Sequence, residues 1–417
     1  MLLNVLMALT VIMITARLVG MLFARLHQPP VMGEVVGGLL LGPSVFGRLS
    51  PEAAAFLLPP ASAPLLSVIA QLGVILYMFL VGLELDLPAL RGSIAITLSI
   101  SLASIVVPFA LGVALAWQLY DALAPDGVMF ASFALFLGVS MSITAFPVLA
   151  RILEDRGLQR THLGMLALTC AAMNDAVAWC LLAFVVSVTR ATPGGAIVTV
   201  ALTAIYVALM LTVGRRVMIS TVARLDRANR IGEQSLALVL VAVLLSALAT
   251  ELIGIHAIFG AFLIGAIIPR DSAIATHVTE RIEDIVRVMF LPAFFAVTGL
   301  RTEIGLVRTA DDWLLCGVII VVATAGKFGG TLLASRIVGL DWRNSAALGI
   351  LMNTRGLVEL IVLNIGLDLG VISPRLFTML VIMALVTTLM TSPILSALLK
   401  SRPWAEPGQK LTSSPGQ

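Results

Sequence analysis

Long apolar runs with short polar punctuation fill this chain from residue 2 to residue 399. A helix that crosses a bilayer needs roughly 20 mainly apolar residues. Runs bounded by Arg, Pro and acidic clusters predict thirteen spans, at 2–26, 31–48, 63–84, 93–119, 128–153, 162–189, 194–217, 233–252, 255–269, 285–301, 312–336, 344–368 and 376–399. The second and ninth are short. The alternating pattern of an outer-membrane barrel strand does not recur. The pattern therefore predicts an all-α membrane protein. The first run reads as a span and not as a cleaved signal, since it lacks a basic leading segment and a small-residue cleavage site. Residues 401–417 (SRPWAEPGQKLTSSPGQ) are polar and rich in Pro, Gly and Ser, and read as a disordered cytoplasmic tail.

Composition agrees. Hydrophobic residues make up 59% of the 417 and charged ones 12%, against roughly 25% charged in a soluble domain. The mean hydropathy is +1.07. So little charge cannot clothe a water-facing surface of this size, which excludes a soluble enzyme, and no basic stripe points to nucleic acid. Basic residues then orient the spans. Eighteen fall in the loops on one side and five on the other, which predicts an outer N-terminus and an inner C-terminus in a bacterial plasma membrane. Arg17, Lys327 and Arg355 fall inside spans. Cys170, Cys180 and Cys316 lie in apolar runs and read as core fillers. The first two are ten residues apart on one helix, about 15 Å along its axis, too far to bond.

The halves resemble each other. GLELD at 82–86 ends the third span and GLRTE at 299–303 ends the tenth, 217 residues later. Gly33 and Gly38 match Gly260 and Gly265 at an offset of 227. Each half places a polar, interrupted span in its fifth position, SMSITAFP at 140–147 and MNTRG at 352–356. The reading is a membrane transport domain over 1–400: repeat one at 1–190, a connector helix at 194–217 and an inverted repeat two at 233–400. Inverted repeats with paired broken helices characterise secondary transporters.

Charges deep in a span cost about 2.5–3.5 kcal/mol on insertion scales and are functional candidates by default. Asp175, with Asn174 before it, lies mid-span in LALTCAAMNDAVAWCLLAF, too short to reach the surface. A carboxylate there accepts a proton or a dehydrated alkali ion, but not easily both, and that competition is the chemistry of exchange. Lys327 lies deep in GVIIVVATAGKFGGTLLA. The chain holds three Lys against 23 Arg, so a buried Lys suggests a compact ammonium or one able to lose its proton, which Arg is not. Its expected partner is Asp175, with Gly326, Gly329 and Gly330 permitting close helix approach. Pro147 denies its span a backbone donor. Ser140, Ser142 and Thr144 precede it, and Asn353 and Thr354 are their counterparts as lining of the broken helices. Arg355 and Glu359, four apart, are expected to pair structurally. Glu84, Asp86, Glu154 and Asp155 sit at inner helix ends, as solvated ends or as a funnel that concentrates cations.

QPPVMGEVVGGLLLGPS (28–44), FLVGLELDL (79–87), NDAVAW (174–179), AGKFGG (325–330) and NTRGLVELIVLNIG (353–366) together resemble the monovalent cation:proton antiporter-2 family. The resemblance implies a sodium/proton antiporter-like fold of thirteen helices, a dimerisation domain, a mobile core and elevator-type alternating access in a homodimer. It places Asp175 at the ion-carrying aspartate, Asn174 where electrogenic members carry a second Asp, and Lys327 at the basic position before the second broken helix. The Asn at 174 argues for electroneutral exchange of Na+ or K+ for H+. No nucleotide-binding domain follows the last span, so gating by nucleotide or glutathione is not implied, and no cofactor is. A sodium-coupled organic-solute symporter of the same fold is the alternative. An intramembrane aspartyl protease needs a second midplane Asp, and a metalloprotease needs His-Glu-x-x-His; His27, His162, His256 and His277 are scattered. A channel needs a selectivity filter, and none is visible.

Overall fold

The computed structural model describes residues 2–84, 94–159, 161–190, 195–227 and 232–400. Among them the chain is all-helical. In the first half run α1 (Leu2–Arg25), α2 (Pro30–Leu41), the short α3 (Phe46–Leu49) and α4 (Pro51–Leu57), α5 (Ala63–Glu84), α6 (Ile94–Leu123), α7 (Phe130–Ser142), α8 (Phe146–Asp155) and α9 (His162–Arg190). Then come α10 (Gly195–Leu209) and α11 (Arg215–Arg227), joined by a π-helical turn, α12 (Glu233–Ile253) and α13 (Ala257–Ile267). The rest are α14 (Ala273–Ile285) and α15 (Leu291–Arg301), also π-joined, α16 (Ala310–Ile337), α17 (Trp342–Met352), α18 (Leu357–Asp368) and α19 (Pro374–Lys400). The tail at 401–417 and the Asp86 position lie outside the described residues, as do the side chains of Glu84 and Asp155.

Among the described residues, ten stretches are long and apolar enough to span a membrane singly, and α17 with α18, bent by 43°, makes an eleventh. The count of thirteen is not reached on length. The expected fifth span is split into α7 and α8, of 13 and 10 residues, because Ile143–Ala145 is extended ahead of Pro147. The expected ninth is α13, of only 11 residues, ended on one side by the left-handed Gly254 turn.

The helices pack in two groups. α1, α2, α5 and α12–α15 form a scaffold; α6–α9 and α16–α19 form a core bundle. Within the scaffold the repeated glycines meet crosswise. Gly38 of α2 lies against the Phe295–Ala296 backbone and Gly299 of α15, while Gly265 of α13 lies against Phe79 and Gly82 of α5. A methyl at either glycine has no room, so backbones touch at both crossings. Arg17 of α1 acts on the buried Glu34 of α2.

Among the described residues, few polar ties join the groups. Pro393 in α19 cannot donate to Leu389 O, and Gln28 at the α1–α2 turn donates its Nε2 to that carbonyl at 3.3 Å. At the other end of the bundle Arg301 of α15 reaches Asp368 Oδ1 at 2.7 Å and Asn364 Oδ1 at 3.2 Å, both on α18.

Candidate functional site

The core bundle is organised around its two interruptions. α7 stops at Ser142 and α8 starts at Phe146; α17 stops at Met352 and α18 starts at Leu357. The breaks touch: Ala145 N donates to Thr354 O at 2.9 Å, and Thr144 Oγ1 donates to Met352 O at 2.9 Å. Four half-helix ends therefore converge inside the protein, where every freed backbone group needs a partner.

The carbonyl end of α7 is held by two cations. Arg355 donates to Ser140 O at 2.7 Å and to Met141 O at 2.8 Å, and Lys327 Nζ donates to Ser142 O at 2.5 Å. Both side chains are fully buried. Cations at a helix C-terminus oppose its dipole as well as filling its orphan acceptors. Lys327 comes from α16, whose start is fixed by a capping box between Thr309 and Asp312. Gly326 and Gly330 bring α16 against Pro108 and Ala103 of α6, whereas Gly329 faces open space. Pro108 leaves Ser104 O without its helical donor, and Lys327 Nζ supplies one at 2.9 Å.

Asn174 of α9 completes this arrangement. The amide atom 3.2 Å from Lys327 Nζ is its oxygen, because an ammonium only donates. That oxygen also lies 2.8 Å from Ser104 Oγ and 3.2 Å from Thr144 Oγ1, and the Asn174 NH2 donates to Ser101 O at 3.2 Å. The three ammonium protons of Lys327 thus meet Ser104 O, Ser142 O and Asn174 Oδ1. The expected direct pair of Lys327 with Asp175 does not form, because nearer neutral oxygens take every donor.

Asp175 is 4% exposed, and neither carboxylate oxygen has a hydrogen-bond partner. It sits where the Phe146 backbone amide, at the start of α8, and the Lys327 charge act on it. A helix N-terminus favours an anion electrostatically, but the Phe146 amide does not reach these oxygens with hydrogen-bond geometry. The Asn353 side chain and the Thr354 hydroxyl, on the second break, are also buried without partners. The other acid of the crossing is tied down: Glu359, in the first turn of α18, accepts from Arg355 at 2.7 Å with both side chains fully buried.

Among the described residues no group of three or more His, Cys, Asp or Glu is placed to hold a metal ion. A single carboxylate suits a monovalent cation better than a divalent one, which gathers several acidic ligands.

The sodium/hydrogen exchanger model matches residues 11–401, nearly the whole chain. The chain belongs to the sodium/hydrogen exchanger family. It is 46% identical over 395 residues to the Na(+)/H(+) antiporter NhaS4 of Synechocystis, covering 94% of this chain and 96% of that one. It is 42% identical to Cation/H(+) antiporter 20 of Arabidopsis thaliana and 36% identical to K(+)/H(+) antiporter 1 of Saccharomyces cerevisiae, covering 93% and 92% of this chain. It spans about half the length of those two relatives, 48% and 45%. In fold it resembles the sodium proton antiporter MjNhaP1 of Methanocaldococcus jannaschii, with a TM-score of 0.67 at 13% identity, covering 95% of this chain and 99% of that one. A sodium/hydrogen exchanger is a transporter and not an enzyme, and the symporter alternative finds no support among these relatives.

Within this exchanger the broken-helix residues act differently from one another. Ser140 and Ser142 turn their hydroxyls back onto Phe136 O and Gly138 O of α7, and only their carbonyls take part in the site. Two contributors were not singled out in the sequence. Ser104 was signalled by Pro108 four residues on. Thr388 of α19 accepts from Arg355 N at 2.9 Å and donates to Arg355 O at 2.7 Å, pinning the second break. Its only signal was a cluster of Thr in an apolar span. Glu154, offered as part of an acidic funnel, is exposed beside Arg151 at 3.4 Å.

Proposed function

We propose that this chain exchanges one monovalent cation, Na+ or K+, for one proton, with Asp175 as the single carrier. The observation that carries the proposal is the contrast inside the crossing: every other charged group there is saturated or paired, and the Asp175 carboxylate is not. Protonated, Asp175 is neutral and needs no counter-charge. Deprotonated, it needs a counter-charge, and a dehydrated cation at its oxygens supplies one. We assign Asn353 and Thr354, whose buried side-chain polar atoms lack partners, to complete that shell. Proton and cation therefore compete for one pair of oxygens, which couples the two flows without a second site.

Lys327 remains an ammonium throughout, because three oxygen acceptors use its three protons. Asn174 holds it and carries no charge of its own. Each half-cycle then moves Asp175 with one positive charge, a proton or a cation, and the exchange is electroneutral. Alternating access follows from movement of the core bundle, α6–α9 with α16–α19, against the scaffold. The relatives' names cover both Na(+)/H(+) and K(+)/H(+) antiport, so the cation is either. The remaining parts of the reading are a homodimer in a bacterial plasma membrane, an outer N-terminus and an inner C-terminus, supported by the loop charges and the family resemblance.

Purified protein in liposomes under a Na+ or K+ gradient tests this on a solid-supported membrane. Proton exchange reported by an internal pH dye, with no transient current, is the expected result. A current that scales with exchange and is lost in Asp175→Asn overturns the one-for-one assignment.

A further inference from the structure

One flank of α9 faces a cavity of about 750 Å³ instead of protein. Trp179 and Phe184 of α9 line it with Ala204 and Val207 of α10 and Phe259 and Phe262 of α13. The cavity thus lies on the seam between the core bundle and scaffold helices. Trp179 is one turn from Asp175, about 6 Å along the helix axis.

Its chemistry is apolar throughout. The wall hydroxyls are already used: Thr203 donates to Thr199 O at 2.7 Å, Thr250 to Ala247 O at 2.9 Å, and Tyr206 OH pairs with Ser246 Oγ at 2.6 Å. Trp179 Nε1 is the lining donor that has no partner. Water does not fill an apolar cavity that offers it so few bonds. A peptide strand there leaves its backbone groups unsatisfied. The rim is exposed and equally apolar: Cys180, Phe184 and Leu211 stand at it. Along Ala201–Leu225, which holds most of α10 and most of α11, Val222 is the one buried residue, so the surroundings of this span are those of the bilayer.

We propose that this cavity seats one acyl chain of a bilayer phospholipid between the core bundle and the scaffold. The helix that carries Asp175 then has a fluid hydrocarbon neighbour on the flank where α10 stands away from it. A chain in that seat fills the seam without fixing it, and its apolar contacts re-form at any depth as α9 shifts.

Brominated acyl chains quench tryptophan on contact, which supplies the test. Trp117, Trp313, Trp342 and Trp404 are replaced by Phe, leaving Trp179, and the protein is placed in phosphatidylcholine with or without mid-chain bromines. Trp179 is expected to lose most of its emission in the brominated lipid, although it is only 2% exposed. Filling the seat by Ala204→Phe, or by Ala183→Leu from the α9 wall, is expected to restore that emission. Equal emission in the two lipids overturns the proposal, and a second copy of the chain covering the seam gives that result. Quenching undiminished in both filled variants also overturns it, since the bromines then arrive by another route. Native mass spectrometry of the intact chain gives an independent reading. Wild-type protein is expected to retain one phospholipid more than Ala204→Phe, and equal retention counts against the seat.

Discussion

Two carboxylates meet the crossing, each near the amino end of a half-helix, and they are treated in opposite ways. Glu359 stands in the first turn of α18, fully buried, with Arg355 bonded to it at 2.7 Å. Asp175 reaches the start of α8 from a neighbouring helix, is nearly as buried, and has no hydrogen bond on either oxygen. The same dipole favours both anions. Only one is neutralised by the protein itself. The comparison separates a carboxylate that builds the break from one that leaves its neutralisation to a cargo ion. The cation sides differ as well. The carbonyl end of α7 is capped by Arg355 and Lys327, while that of α17 is capped by the hydroxyl of Thr144. Positive charge is thus built into one break and left out of the other.

Removing the free carboxylate has the largest expected effect. Asp175→Asn keeps the shape and takes away the charge, so cation-driven proton movement in liposomes falls to the protein-free background. Stability should hold or rise, because an unpaired buried charge has been deleted. Exchange at the wild-type rate in reconstituted Asp175→Asn removes Asp175 from the carrier role.

The paired acid gives the opposite result. Glu359→Leu strands the Arg355 guanidinium in the protein interior, and breaking a buried pair from one side costs about 3–5 kcal/mol. Thermal unfolding in detergent should move down sharply, well before any change in cation affinity can be measured. Unaltered unfolding with lost cation binding makes Glu359 a ligand and erases the distinction from Asp175.

Lys327→Gln comes next. It leaves Ser104 O or Ser142 O without a donor, and a stranded buried acceptor costs about 1–3 kcal/mol. Exchange should slow, and the proton-to-cation ratio should stay at one, because the cap carries no transported proton. A changed ratio in Lys327→Gln, measured by matched ion and pH fluxes, shows that the ammonium takes part in the stoichiometry.

Much of this was legible in the chain and some was not, for physical reasons. Asp175, Lys327 and the two breaks stood out because a charge or a proline in an apolar span is costly and few. The Arg355–Glu359 pair is local in sequence, four residues apart, so the chain alone brings it into reach although Arg355 stands in the break ahead of α18. The partner of Lys327 was not local. Choosing between Asp175 and its neighbour Asn174 depends on a rotation of α9 by one residue, which no sequence period fixes. The span count is left unconfirmed where helices are short: α13, α7 and α8 are each too brief to cross alone, and they pack against α5, α6 and α9. The serines of the first break misled because hydroxyl and carbonyl of one residue face different ways. Ser142 contributes its C=O to Lys327 and spends its Oγ on Gly138 O.

The smallest effect tests the neutral break. Thr144→Val is nearly isosteric, so it opens no cavity and removes one donor. Met352 O then loses its 2.9 Å partner, and Asn174 loses a polar neighbour at 3.2 Å. The main-chain bond from Ala145 N to Thr354 O survives, so the two breaks stay in contact. The cost should be about 1 kcal/mol, the low end for a lost neutral hydrogen bond. Apparent cation affinity should barely move, because the hydroxyl proton is committed to Met352 O. Thr144→Ser keeps the hydroxyl and should recover most of the lost stability. If Thr144→Val instead weakens cation affinity about tenfold, a loss of about 1.4 kcal/mol in binding, with unfolding unchanged, Thr144 belongs to the ion shell. The first break then uses its hydroxyl for cargo as well as for support.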